Sequence, residues 1–178
     1  MQLDLFTHST SHTRVRTEVP EASRYLPVYR VQLVHETVIP ANRPQLRSAA
    51  DAAYLLRQFL HQVDREHFVV LLVDRKNRLI GIHTVSVGSL TASVVHPREV
   101  FKVAILSNAA AILCGHNHPS GDPQPSGEDC SLTQRLVQAG QILGIELLDH
   151  VIIGDGAADY YSFADQGRLH TNKGESHD

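Results

Sequence analysis

The chain predicts an α/β (α+β) domain in which helices flank a mixed β-sheet. Three observations carry this. Apolar residues switch between strand-like and helical spacing in the order strand, helix, hairpin, helix, strand, helix, strand. Two Ser-x-x-Asp signatures, Ser48–Asp51 and Ser126–Asp129, mark helix starts. A hydrophobic fraction of 42% over 178 residues supports one real core rather than a disordered chain.

Residues 1–23 are rich in Ser, Thr, His and charge and predict a flexible arm. Residues 24–47 predict a strand and a linker. In RYLPVYRVQLVHETVI (Arg24–Ile39) β-branched residues alternate, with Val31, Leu33 and His35 on one face. PANRP then reads as a loop, because its two prolines remove backbone donors. The main domain spans 48–170. Ser48 caps a helix from Ala49 to about Gln62, whose buried stripe is Ala52, Leu55, Leu56, Phe59, Leu60 and Val63. HFVVLLVD (His67–Asp74) is a short apolar run, hence a buried strand. RKNR turns it into LIGIHTVSVGSL (Leu79–Leu90), the second arm of a hairpin. Pro97 opens a helix with Val100, Phe101, Ala104 and Ile105 inward. AAILCG (Ala110–Gly115) predicts a buried strand. Ser126 begins a helix with Leu132, Leu136, Val137 and Ile142 inward, stopped at Gly144. IELLDHVIIG (Ile145–Gly154) is the last strand, and residues 171–178 form a polar tail.

Composition excludes several classes. No apolar run reaches the roughly 20 residues needed to cross a bilayer, so no membrane association is expected. The N-terminus lacks the pattern of a secretion signal, and two cysteines make no disulfide framework, which together predict a cytoplasmic protein. A net charge of −3 gives nucleic-acid binding no support. The GDG at Gly154–Gly156 lacks the third glycine and following helix of a dinucleotide loop. Oligomeric state leaves no mark on the sequence.

The chemistry concentrates in GHNHPSGDPQPSGEDC, Gly115 to Cys130. His116 and His118 leave the predicted strand two residues apart, so both imidazoles face one side while Asn117 faces away. The following loop contains three prolines and two glycines, which fix a sharp return path. Ser126 then caps the helix whose first turn holds Asp129. Two neutral imidazoles and a carboxylate suit Zn²⁺ with one position left for water. The bland alternative is that the histidines end a strand and Asp129 only favours a helix N-terminus. A lone H-x-H would favour that; the coincidence of acid, rigid loop and cap favours metal. Cys114, ending an apolar strand, reads as a small buried residue rather than a competing ligand.

The run His116-x-His118-Pro119-x-Gly121-x-x-x-x-Ser126-x-x-Asp129 resembles the JAMM motif of the JAB/MPN metallopeptidase superfamily. HPREVFKVAILSNAAAILCGHNHPSGDPQPSGED and LLDHVIIG resemble, within it, the RadC family, over about Ser48 to Leu169. The resemblance implies a JAB/MPN-like mixed sheet flanked by helices with cytidine-deaminase-like layering. It implies zinc as cofactor, His116, His118 and Asp129 as metal ligands, and Glu66 as the general base that takes a proton from the activated water. It implies that Ser126 helps hold a tetrahedral oxyanion. Without it, Glu66 reads as one solvated acid in a charged turn with Asp64 and Arg65. The activity implied is zinc-dependent hydrolysis of an amide bond by a metallopeptidase or isopeptidase, with a protein or peptide substrate.

Longer RadC proteins carry a helix-hairpin-helix region associated with DNA binding. This chain has only the strand-like 24–39 segment there, and so resembles short RadC-like proteins of mobile elements and prophages. The second reading is therefore a DNA-associated repair or mobile-element protein. The letters HNH do not support it, since HNH nucleases scatter those residues over a ββα unit. Nor is there the H-x-E with P-C-x-x-C of zinc deaminases. A non-catalytic scaffold is a third reading, disfavoured because all ligands and Glu66 are in place.

Overall fold

A computed structural model of the chain describes residues 26–38, 45–61, 63–88, 95–156 and 159–169. The chain divides into two units, 1–31 and 32–178. In the first, residues 26–31 carry no regular secondary structure and expose their side chains. The same holds for residues 32–38 of the second. The strand expected over 24–39 is thus not formed in its described part. Alternation supplies an apolar face, but a strand also needs a neighbour for its backbone groups, and none of the strands below takes that place. The arm over 1–23, the PANRP loop and the tail lie outside the described residues.

The second unit runs α1 (Ala49–Phe59), β1 (His67–Val73), β2 (Leu79–Val87), α2 (Pro97–Leu106), β3 (Ala111–Asn117), α3 (Gly127–Leu143), β4 (Glu146–Ile153) and β5 (Tyr160–Ser162). The predicted mixed α/β architecture is present. One sheet has the order β2-β1-β3-β4-β5; β3 and β4 are parallel and every other pair is antiparallel. The RKNR turn closes the predicted hairpin between β1 and β2. The three-residue β5 was not anticipated: its partner β4 lies nearby, but YYS is too short to show a period.

Alternation on the central strands sorts the core into two layers. Phe68, Val70, Leu72, Ile112 and Cys114 pack with Val100, Phe101, Ala104, Leu132 and Leu136 of α2 and α3. Val69, Leu71, Val73 and Leu113 pack with Ala52, Leu55, Leu56 and Leu60 around α1. Helices therefore cover both faces, which is why β1 is buried along six of its seven residues. Two inward assignments fail: Ile105 is 52% and Ile142 85% exposed, while Val103 turns in. A helix stripe read from spacing alone can be misplaced by one position, since i+3 and i+4 serve equally.

Both Ser-x-x-Asp starts form complete capping boxes. Ser48 and Ser126 each accept from the N–H of Asp51 and Asp129, whose carboxylates accept from the cap backbone in return. The third helix start had no predicted cap; His96 Nδ1 fills the role, accepting from the N–H of Arg98 ahead of Pro97. Gly115 lets α1 lie directly on β3, because a Cβ there would meet Leu56 Cδ1 at 2.4 Å.

Candidate metal centre

The site forms at the C-terminal end of β3. The strand is longer than expected, so His116 and Asn117 lie within it and His118 follows immediately. His116 continues the row of Ile112 and Cys114 and is fully buried, and His118 leaves on the same side. In the antiparallel pairing of β1 with β3, Phe68 stands opposite His116. Glu66 immediately precedes β1, at the end of that pairing from which His118 leaves β3. The loop from Pro119 to Pro125 turns at Gly121, whose φ of 82° favours glycine, and returns the chain to Ser126 and α3. Asp129 in the first turn of α3 is 3% exposed and faces both imidazoles.

All five residues singled out in the sequence converge here. His116 Nε2 lies 3.0 Å from His118 Nε2 and 3.3 Å from Asp129 Oδ1, and His118 Nε2 lies 3.5 Å from Asp129 Oδ2. Glu66 Oε1 is 3.8 Å from His116 Nε2. Glu66, His116 and His118 place one ligand atom each within 4.8 Å of one another, a cluster that can hold a metal ion. That cluster includes Glu66, expected as a base, where the sequence reading had Asp129 as the third ligand; Asp129 borders it at 3.3 Å from His116.

Proton counting supports a cation. A carbonyl oxygen only accepts, so the 2.7 Å contact of His118 Nδ1 with the Asp122 carbonyl places a proton on Nδ1. Nε2 is left as the atom that points at His116 and Asp129, and it can serve as a ligand when the ring is neutral. Ligands around zinc at about 2.0–2.1 Å lie ~3.3 Å apart in a tetrahedron, which the 3.0–3.5 Å spacings approach. In the metal-free chain electrostatics favour a second proton, on His118 Nε2, which a cation would displace. The hydrogen bond with Asp129 holds the His118 pKa above its ordinary value against the opposing effect of burial. Burial, reinforced by neighbouring His150, pushes His116 well below the ordinary histidine value and keeps it neutral. Burial raises the Asp129 pKa, but the hydrogen bond with His118, the His116 ring and the Ser126 donors outweigh it and keep the carboxyl ionised.

Ser126 is committed to Asp129. Its hydroxyl donates to Oδ2 at 2.6 Å, its backbone N–H donates to the same oxygen at 2.7 Å, and its lone pair accepts from the Asp129 N–H at 3.2 Å. To donate elsewhere, the hydroxyl must rotate off the carboxylate. Asn117 faces away, as predicted, and has a task there. Its amide oxygen accepts from the N–H of His67 at 2.9 Å and its amide nitrogen donates to the Arg65 carbonyl at 3.0 Å. The residues on either side of Glu66 are thereby clamped, and the Glu66 carbonyl accepts from Gly88.

Two residues at the centre were missed. His150 on β4 is fully buried and its Nε2 lies 2.9 Å from His116 Nδ1. Thr133 on α3 lies 2.6 Å from His150 Nδ1. LLDHVIIG offered His150 as one strand residue among apolar neighbours, and no local spacing ties it to His116. Burial lowers its pKa to about 4. Cys114 is buried, and burial pushes its thiol pKa up, which fits the inert role expected of it. A cleft of about 390 Å³ opens beside His118, between the end of α1 at Arg57 and Leu60, Pro119, and the Ile153–Gly156 turn. No helix among the described residues is long and apolar enough to cross a membrane.

Residues 46–168 match the RadC-like JAB domain. A UPF0758 protein of Shouchella clausii is 57% identical over 114 residues, covering 64% of this chain and 50% of its own length. Another, of Desulfitobacterium hafniense, is 53% identical over 130 residues, 73% of this chain and 56% of its own. One of Rubrobacter xylanophilus is 44% identical over 168 residues, 93% of this chain and 73% of its own. The chain spans about half the length of the first of these relatives. With 46–168 enclosing the strand, loop and helix that build the centre, the chain belongs to the RadC-like JAB domain family.

Proposed function

We propose that the chain is a zinc-dependent hydrolase of JAMM type, a metallopeptidase or isopeptidase that cleaves an amide bond in a protein or peptide. The observation that carries this is the convergence of two imidazole nitrogens and one ionised carboxylate within 3.0–3.5 Å, with a second acid at its edge. His116, His118 and Asp129 would hold the ion. Zinc, when bound, supplies a Lewis acid and lowers the pKa of water towards about 7.

The chain's own groups do the rest. Glu66, 16% exposed, keeps contact with solvent and is held by the Asn117 clamp, which suits a group that accepts a proton from attacking water. It returns that proton to the leaving nitrogen. Ser126 turns its hydroxyl from Asp129 Oδ2 towards the developing oxyanion, while its backbone N–H keeps the carboxylate in place. The cleft beside His118 gives a substrate room next to the proposed centre.

The test is Glu66→Gln against the wild-type protein, both loaded with zinc, on a mixed peptide and isopeptide library read for new termini. Cleavage by the wild type, lost in Glu66→Gln at unchanged metal content, is the expected result. Equal product formation by both proteins would remove Glu66 from the mechanism.

A further inference from the structure

We propose that His150 and Thr133 are positioning residues that fix which ring nitrogen of His116 faces the metal centre. The three side chains form a buried line, with His116 and His150 fully buried and Thr133 1% exposed. His116 Nδ1 meets His150 Nε2 at 2.9 Å, and His150 Nδ1 meets Thr133 Oγ1 at 2.6 Å. The Thr133 hydroxyl also meets the Asp129 carbonyl at 2.6 Å.

Only one distribution of protons satisfies both short contacts of Thr133. The hydroxyl owns one proton, and the Asp129 carbonyl can only accept. If Thr133 gave that proton to His150, two oxygen lone pairs would oppose each other at 2.6 Å. Thr133 therefore donates to Asp129 and accepts from His150 Nδ1–H. His150 sits between the stacked ring of Phe163, at 5.1 Å, and the edge of Phe68, at 5.4 Å, where a charged ring would be costly. Neutral His150 presents a lone pair at Nε2 and accepts from His116 Nδ1–H. Neutral His116 is left with its lone pair at Nε2, the atom that faces His118 and Asp129. The backbone of one ligand residue thus sets the tautomer of another, through a helix and a strand that the sequence gives no reason to connect.

The inference rests on the metal-centre reading for its purpose, yet its central claim concerns the metal-free chain. Isotope-labelled histidine and NMR at neutral pH read the tautomers directly. The wild type should show the Nδ1–H form for both His116 and His150. Thr133→Val removes the acceptor, should shift both rings towards Nε2–H, and should weaken Co²⁺ binding by about 10–100-fold. Thr133→Ser should restore both. His116 as Nε2–H in the metal-free wild type, or Thr133→Val with unchanged tautomers and affinity, would overturn the proposal. Should Thr133→Val not fold, the wild-type spectrum decides alone. Absence of peptide cleavage would remove the hydrolase reading without touching this one.

Discussion

Ser48 and Ser126 occupy the same place in two capping boxes, and substituting each by alanine separates helix capping from service to the metal centre. At Ser48 the hydroxyl accepts from the Asp51 N–H at 3.2 Å, and Ser48→Ala should cost about 1 kcal/mol. At Ser126 the same acceptance, again 3.2 Å, is accompanied by donation to a buried carboxylate at 2.6 Å. A hydrogen bond to a charged group is worth roughly 1.5–3 kcal/mol, and the retained backbone donor at 2.7 Å offsets part of its loss. Ser126→Ala should therefore cost about 2 kcal/mol. With a slope near 2 kcal/mol per molar urea, the midpoints fall by about 0.5 M and about 1 M. Because Asp129 Oδ2 loses its hydroxyl donor, Co²⁺ affinity should also drop by about tenfold in Ser126→Ala, and not change in Ser48→Ala. Urea melts of the metal-free proteins and chelator competition measure the two effects. Equal midpoints together with equal affinities would refute the claim that Ser126 does more than cap α3.

Stability of the metal-free protein should peak near pH 6.5. The His118 pKa is raised above 6.5, so its pair with Asp129 stabilises below that value and is lost as pH rises through the raised one. His116 and His150 are held neutral below 6.5, His150 down to about 4, so acidification across that range costs stability because the unfolded chain binds protons that the folded one excludes. Melting temperature against pH should show both limbs, and His118→Gln should lose the alkaline one; an alkaline limb that persists in that variant contradicts the assignment. Asn117→Ala should release the segment around Glu66, lowering turnover at saturating metal while leaving metal affinity within about threefold, since it touches neither imidazole. Gly115→Ala should cost about 1–3 kcal/mol in a urea melt, because its Cβ would strike Leu56 Cδ1 at 2.4 Å and push α1 off the sheet.

What could be read from the sequence was local. The two capping boxes, the hairpin turn and the period-two placement of His116, Asn117 and His118 depend on neighbours a few residues away, and all are present. Asp129 could be placed because a helix start delivers it. Glu66 could not be chosen from the chain's acids by spacing; its position follows from the pairing of β1 with β3, whose register joins Phe68 to His116, and only resemblance pointed to it. His150 and Thr133 were invisible for the same reason, since β4 and α3 bring them to His116 from 34 and 17 residues beyond it. The converse error is the segment 24–39, where, among the described residues, the strand-like pattern of 26–38 pairs with none of the sheet's strands. Its described side chains, Val28 and Val38 among them, remain exposed.

The central claim is that His116, His118 and Asp129 form a metal centre. Elemental analysis of the purified chain, beside the His116→Ala, His118→Ala double variant, tests it most directly. One tightly held zinc per wild-type chain and none in the variant is the expected result. Full zinc occupancy in the double variant, or none in a wild-type protein dialysed against zinc, would contradict it.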